Sequence, residues 1–517
     1  MKKFAVLISI AFLMLAFGAT VYGQEQAPAL QFKASGFLDM ITEYNRNVVQ
    51  PGAGTSANGG TSTNNVVYGA PPAYWMPTAD GIPDKAFDRP NAYMEGRGRL
   101  RFDAIMGKEM MGTFQFEFDS TRWGERIPAG STAQRNYAGF WGVADRSAME
   151  LKHMYMTFGM PWIPVQTVIQ AGIQPIGIRP SIFMSTDGPA ITAAFKFDPV
   201  WVKLIYAKAL EGKDWAADDD NVYAAEANVR VSTFTIGGYI ADFNWNWYPA
   251  ASEAGPASNP LASSNAWWAG LYFDGKAGPV IINFDLCYDW GSIKDRRQLV
   301  AARADKVKLS GWGGILNVGF PWEKFLFGLQ GIYGSGADQN ETAATPLPGA
   351  ITPTGAVTTK AKAFLTPGGT EGSNSHALII DGAGINRGNS GFNPANDFHG
   401  RSGFGGLWIA KLYGAFQVSP IFNTRLELMY IGDTTKNGNT IGNSVGTDGL
   451  PTDDNQVGIE VDWLNTLSLY KNLTWQFGIG YLFGGDALEY AVIGGAVGDN
   501  KKPKDPFIIT TNLTYSF

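Results

Sequence analysis

The chain has 517 residues, and 46 Asp and Glu against 40 Lys and Arg give a formal charge of −6, a balance that argues against the basic footprint of nucleic-acid binding. Cys287 is the only cysteine, which excludes an internal disulfide. Aromatic residues at 13 % and 64 glycines, with no run beyond residue 23 apolar for 18 residues, exclude membrane-spanning helices and suit strands that alternate.

At the start, Lys2 and Lys3 precede an apolar run from Phe4 to Phe17, and small residues lead to Val21-Tyr22-Gly23. This is the layout of a secretory signal peptide, expected to be cut after Gly23. The run of about 14 residues is shorter than the roughly 20 that span a bilayer. Residues 24–517 are then read as a single domain, with 40 − 2 = 38 basic against 46 acidic residues and a charge of −8.

The first strand begins by Leu30, which leaves no room for an N-terminal plug. The second reads Tyr93-Met94-Glu95-Gly96-Arg97-Gly98-Arg99-Leu100-Arg101-Phe102-Asp103. Met94, Leu100 and Phe102 share one face, so Arg97, Arg99 and Arg101 share the other. An arginine on a lipid face costs about 2–4 kcal/mol near the midplane, so the three are placed in a lumen. Across the tight turn at 107–110, Phe114, Phe116 and Phe118 alternate with Gln115, Glu117 and Asp119. Antiparallel pairing around that turn sets Arg99 beside Glu117 or Asp119. Such opposed rows resemble the transverse field of general porins; they also tie neighbouring strands together.

Further along, Val280, Ile282, Phe284, Leu286, Tyr288 and Trp290 alternate with Asn283, Asp285, Cys287 and Asp289. Thr424, Leu426, Leu428 and Tyr430 alternate with Arg425 and Glu427. Inward charges are expected at Lys203, Glu226, Arg230, Asp285, Asp289, Arg425, Glu427, Glu460 and Asp462. Both signs occur, so no strong ion selectivity is declared. Short connections (Gly107-Lys108-Glu109, Phe197-Asp198-Pro199, Tyr470-Lys471-Asn472 and others) switch with long polar ones near 45–91, 120–148, 174–188, 209–220, 244–265, 291–306, 334–403, 431–455 and 484–505. Nine long loops imply eighteen strands in an all-β, antiparallel, up-and-down transmembrane barrel, sixteen being the alternative. Trp162 and Trp322 fall at short turns, and Trp245, Trp247, Trp267, Trp268 and Trp290 where strands meet long loops, as aromatic girdles would. The 70-residue segment 334–403 is expected to fold into or over the mouth, or else to be a surface loop.

The last residues, Phe507 to Phe517, place Phe507, Ile509, Leu513, Tyr515 and Phe517 on one face and polar residues on the other. A chain ending this way resembles the closing strand of an outer-membrane barrel, and such a strand would engage the barrel-assembly machinery. The block Val457-Gly458-Ile459-Glu460-Val461-Asp462-Trp463, then Tyr470-Lys471-Asn472-Leu473 and Gly480-Tyr481-Leu482-Phe483-Gly484-Gly485-Asp486-Ala487, resembles the C-terminal region of the alginate-export-like porins. That resemblance implies eighteen strands and a passive conduit for polysaccharide or small solutes. Alginate conduits have an arginine-lined lumen, whereas here acids meet the basic row.

The expected function is a passive outer-membrane channel for small hydrophilic solutes. A polysaccharide conduit, and a structural or binding barrel, are the alternatives. Expected partners are outer-membrane lipid, lipopolysaccharide and diffusing solutes, with monomer and homotrimer both open. His153, His376 and His399 carry no hydrolase pattern, Asp218-Asp219-Asp220 lacks ordered metal-ligand spacing, and no Cys-x-x-Cys-His occurs. No catalytic residue, metal or cofactor is expected.

Overall fold

The computed structural model describes residues 29–47, 90–123, 137–138, 149–212, 218–248, 262–296, 305–342, 352, 355–365, 376–380, 404–442, 444–491 and 496–517. Among them lie eighteen long strands. They are β1 (Leu30–Arg46), β2 (Pro90–Met106), β3 (Met110–Trp123), β4 (Met149–Phe158), β5 (Gln166–Ile178) and β6 (Met184–Lys196). There follow β7 (Val200–Leu210), β8 (Asp220–Val231), β9 (Phe234–Tyr248), β10 (Ala262–Ala277), β11 (Val280–Asp295) and β12 (Trp312–Trp322). The last are β13 (Phe325–Gly334), β14 (Leu407–Ser419), β15 (Phe422–Asp433), β16 (Gln456–Tyr470), β17 (Leu473–Gly484) and β18 (Phe507–Ser516).

Each strand pairs antiparallel with its neighbours in sequence, and β18 pairs with β1 from Phe37↔Ser516 to Arg46↔Phe507. Closure satisfies the backbone groups that an open sheet edge would leave bare in lipid. The terminal residue completes the seam: Gly36 N donates to the Phe517 carbonyl at 2.9 Å, and Phe517 N to the Gly36 carbonyl at 3.0 Å. A Cβ at position 36 would stand 2.2 Å from the Arg99 carbonyl oxygen and 2.9 Å from the Phe517 ring, so this close approach requires glycine.

Period-two alternation sends alternate side chains to opposite faces of the wall. On β11, Phe284, Leu286 and Tyr288 point outward, while Asp285, Cys287 and Asp289 are buried on the inside. On β18, Ile509 and Tyr515 face out and Thr510 and Asn512 face in. An outward belt of Leu, Phe, Trp and Tyr that would be costly in water is the surface a bilayer covers. No helix among the described residues is long and apolar enough to cross a membrane. The buried apolar core therefore lies inside the barrel, between the wall and segments that fold inward.

Two expectations change. Residues 174–188 are not a long outer loop. β5 runs to Ile178 and β6 starts at Met184, joined by five residues. The tryptophans near the loops also divide. Trp267 stacks on Trp290 at 6.1 Å on the outer face, but Trp268 is fully buried inside and Trp245 is buried beside it in the same interior cluster. Neighbours in a strand face opposite ways, so Trp267 and Trp268 cannot share a girdle. The Trp247 side chain, the proposed signal peptide and most of segment 45–91 lie outside the described residues.

Candidate functional site: the inner wall and its inward segments

The β5–β6 hairpin leaves the wall partway along. β4 pairs with β5 only from Met154↔Ile173 to Phe158↔Ile169. β6 pairs with β7 only from Ala190↔Ala207 to Lys196↔Trp201. Beyond those points β5 and β6 keep pairing with each other, from Gln174↔Gly188 to Ile178↔Met184. Pro175 and Pro189 lack the N–H a flanking ladder needs. Gly172 takes φ +133° against the Met154 carbonyl, which re-aims the strand. Side chains at Thr167 and Ile169 are buried before it, and those at Gln174, Ile176 and Ile178 after it, so the alternation slips by one.

The hairpin tip crosses to β10 and β11. Arg179 Nε donates to Asp285 Oδ1 at 2.5 Å and Nη2 to Asp285 Oδ2 at 2.6 Å. Nη1 donates to Asp274 Oδ2 at 2.5 Å, and the guanidinium lies 4.2 Å above the Tyr272 ring. Phe183 is fully buried, stacked on Tyr239 at 4.8 Å and close to Trp268 at 5.9 Å. Lys203 Nζ donates to the Gly177 carbonyl at 2.7 Å and pairs with Glu226 at 2.9 Å. Carboxylates predicted to face the lumen thus serve as anchors for the hairpin.

The long connection after β13 supplies two further inward pieces. In residues 355–365, the Leu365 N–H donates to Asp289 Oδ2 at 3.1 Å and its carbonyl accepts from Trp268 Nε1 at 2.7 Å. In residues 376–380, the Ile379 and Ile380 N–H groups donate to Glu460 at 2.6 and 3.1 Å, and Leu378 N to Asp462 at 3.0 Å. Lys411 Nζ reaches the His376 carbonyl and pairs with Glu427 at 2.8 Å. Glu427 also takes Arg425 at 2.5 Å, whose guanidinium lies 4.0 Å over Tyr413. The His376 ring bonds the Ser181 backbone, so the two inward elements touch. Outside the wall, hydrogen bonds from Lys360 and Lys362 hold the Glu341 carboxyl below its ordinary range.

Gly313 on β12 is the seat of Phe364: an added Cβ would lie 2.6 Å from its ring. Gly313→Val is expected to expel Phe364 and free residues 355–365. The check is maleimide labelling of a cysteine at Ala363 in a Cys287→Ser background. Labelling that stays as slow as in the Gly313 protein would refute it.

The basic row lies on the remaining wall. Arg97 and Arg99 both bond Glu117, Arg99 Nε to Oε2 at 2.8 Å. Lys152 joins them at 3.1 Å and also pairs with Asp187 at 2.7 Å, which His153 Nε2 meets at 2.8 Å. Arg101 turns to Asp103 at 3.0 Å. The expected register holds, with Arg99 opposite Glu117. The Asp119 side chain lies outside the described residues, and Arg230 stands exposed two residues from the turn at Ser232, apart from both clusters. The Arg97, Arg99 and Arg101 side chains keep 19 %, 16 % and 35 % exposure, against 5 % for Asp285 and Glu427. Arg179 and Arg425 keep as much, 17 % and 33 %, and Glu117 as little, 2 %, so water reaches the cations of both clusters.

Sequence reasoning passed over Arg179, Lys152 and Asp187. Arg179 and Asp187 had a signal in the prolines that bracket the hairpin. Lys152 sits at a register shift between β3 and β4, which turns both Lys152 and His153 inward against strict alternation.

Fold and inner wall together define a transmembrane β-barrel with an ionised, internally narrowed lumen. No family model matches the sequence, and no curated protein matches it. Among solved structures, the chain is similar to Pseudomonas aeruginosa OccK9 (OpdG), at 10 % identity, covering 94 % of this chain and 98 % of that one with a TM-score of 0.48. It is also similar to P. aeruginosa OccK8 (OprE), at 9 % identity, 94 % and 98 % coverage and a TM-score of 0.47. The outer membrane protein OpdK of P. aeruginosa matches at 8 % identity, 94 % and 99 % coverage and a TM-score of 0.43.

Proposed function

We propose that the protein is an outer-membrane channel through which small hydrophilic solutes diffuse passively. The observation that carries this reading is a closed barrel whose outer face is apolar and whose inner wall holds a solvent-accessible ladder of ionised side chains. An eighteen-stranded wall encloses room for an aqueous path. The inward hairpin, bonded to Asp285 at its tip and to Lys152 through Asp187, and the two buried pieces of the long loop occupy part of it, which favours small solutes over a polysaccharide chain. Arg97, Arg99, Arg101, Glu117 and Asp119 would line the path that remains. Asp285, Arg425, Glu427 and Glu460 would act through the segments they anchor. The C-terminal strand, ending on Phe517, would present the signal read by the assembly machinery.

Purified protein in a planar bilayer is expected to give stepwise conductance of nanosiemens order. A bilayer that stays silent at high protein load would sink the channel reading and favour a structural or binding barrel.

A further inference from the structure

β1 is longer than the seam it closes. Its upper part pairs on both sides, with β2 and with β18, but β18 joins it only from Phe37 upward. Below that point the strand pairs with β2 alone, from Leu30↔Met106 to Ser35↔Arg101. Six residues at about 3.3 Å each run roughly 20 Å past the lower end of the seam. This tongue stands beside the tight turn at 107–109, on the periplasmic side where the short turns lie.

The ladder shows what the other edge of the tongue offers. Gly36 exchanges both backbone hydrogen bonds with Phe517, so its N–H and C=O point toward the seam. Backbone direction alternates along a strand, so those of Phe32 and Ala34 point the same way. Among the described residues no strand lies on that side to take them. Such an edge is a template for another extended chain. Its side chains are equally uncovered. Phe32 is 76 % exposed, the most of any large apolar side chain among the described residues, and Leu30 and Phe517 are exposed on the same outer face. Lys33 is exposed on the inner face. Its register partner, Asp103, is already taken by Arg101 at 3.0 Å and Thr113 at 2.7 Å.

A second copy in the same membrane does not fit this edge. Its tongue points the same way as the first, so it cannot supply the antiparallel strand that continues the sheet, and it brings another Lys33. The open cation calls for a carboxylate, and Phe32 for an apolar neighbour on the opposite face. Together they describe a strand in which acidic and apolar residues alternate.

We propose that Leu30–Ser35 is a docking edge for an acidic, extended segment of a periplasmic protein, which adds a strand antiparallel to β1 below Phe517. Its backbone pairs with Phe32 and Ala34, its apolar residues lie against Phe32 and Phe517, and a carboxylate meets Lys33. The edge rests on the outer-membrane placement, and not on the lumen being open.

The test is fluorescence anisotropy of a labelled synthetic peptide alternating Val and Glu, titrated with the full-length protein in detergent. Saturable binding is expected. The same peptide N-methylated at alternate amides, which removes the donors along one edge, is expected to bind about tenfold more weakly. Ala34→Pro removes an N–H from the open edge and none from the β2 ladder, and is expected to weaken binding by about the same factor. Lys33→Glu is expected to reverse the preference, toward a peptide alternating Val and Lys. Lys276→Glu, at a short turn away from the seam, is expected to bind as the unaltered protein does. Heat-modifiable migration on gels reports that each variant is folded. Absent binding, or equal binding of the methylated peptide, overturns the docking edge. A Val–Lys peptide held by the unaltered protein as tightly as the Val–Glu one overturns the acidic partner. A silent bilayer alongside peptide binding would count against the channel, not this edge.

Discussion

Arg179→Ala is expected to raise single-channel conductance and to make it noisy. The guanidinium is the tip of the β5–β6 hairpin, forked between Asp274 and Asp285 with four hydrogen bonds. Removing it leaves Asp285 buried without its cation, which typically costs about 3–5 kcal/mol. A loss of about 3 kcal/mol shifts a docked-to-undocked ratio on the order of a hundredfold. The wall itself should persist, because strands β4 and β7 pair only with the parts of the hairpin outside 174–188. Arg179→Lys should rescue only partly, since an ammonium cannot fork between two carboxylates. Recordings in symmetric salt make the check. Conductance and open-state noise equal to those of the unaltered protein would show that the hairpin does not narrow the path. Deleting 340–400 is expected to have a smaller effect, because the hairpin remains in place.

Glu117→Gln is expected to shift ion selectivity toward anions by the largest amount of any single change on the inner wall. Its carboxylate, nearly inaccessible to solvent, is shared by Arg97, Arg99 and Lys152. Neutralising it leaves three cations, two of them partly exposed, with one fewer acid among them. Charged rings and rows set selectivity at close quarters, where water screens poorly. Arg97→Ala/Arg99→Ala/Arg101→Ala should shift selectivity the opposite way. Zero-current potentials across a salt gradient read both. If neither variant moves the potential, the row only ties β2, β3 and β4 together.

Much of the wall was legible because a barrel strand needs only two things of its sequence, alternation and an end. The alternation of β11 and β18 placed their outer and inner residues correctly, and tight turns at Gly107, Pro199 and Lys471 placed the hairpins. Arg97, Arg99 and Arg101 could be put in the lumen because lipid leaves them no other face. Two readings failed, one where period two was not applied and one where it breaks down. Trp268 was grouped with Trp267 although their side chains must oppose. Lys152 was missed because a register shift turns it the same way as His153.

The inward segments were harder to read. Polar stretches between strands look alike whether they cross the lumen or stand outside it. Segment 174–188 carried a signal in Pro175 and Pro189, which cannot donate to a flanking strand, and in Gly172, which re-aims the strand just before pairing with β4 stops at Ile173. The direction of the bend was not in that signal. Residues 377–380 are apolar, Ala377-Leu378-Ile379-Ile380, and that run suited burial within segment 334–403. Its partners, Glu460 and Asp462, lie 80 to 84 residues away and meet it only through closure of the barrel.

The sequence by itself determined the barrel class, most inner and outer faces, the seam between the first strand and the last, and the presence of both charge signs inside, while the structure chose eighteen strands over sixteen. Those follow from local alternation and from the cost of placing charge in lipid. The tertiary structure decided which inner charges meet water and which hold protein. Asp285, Asp289, Glu460 and Asp462 became anchors because curvature of the wall brings distant segments over them. Arg97, Arg99 and Arg101 keep partial exposure although Asp187 of the inward hairpin reaches Lys152 in the same cluster. Coverage is a property of the closed barrel, and no single strand encodes it.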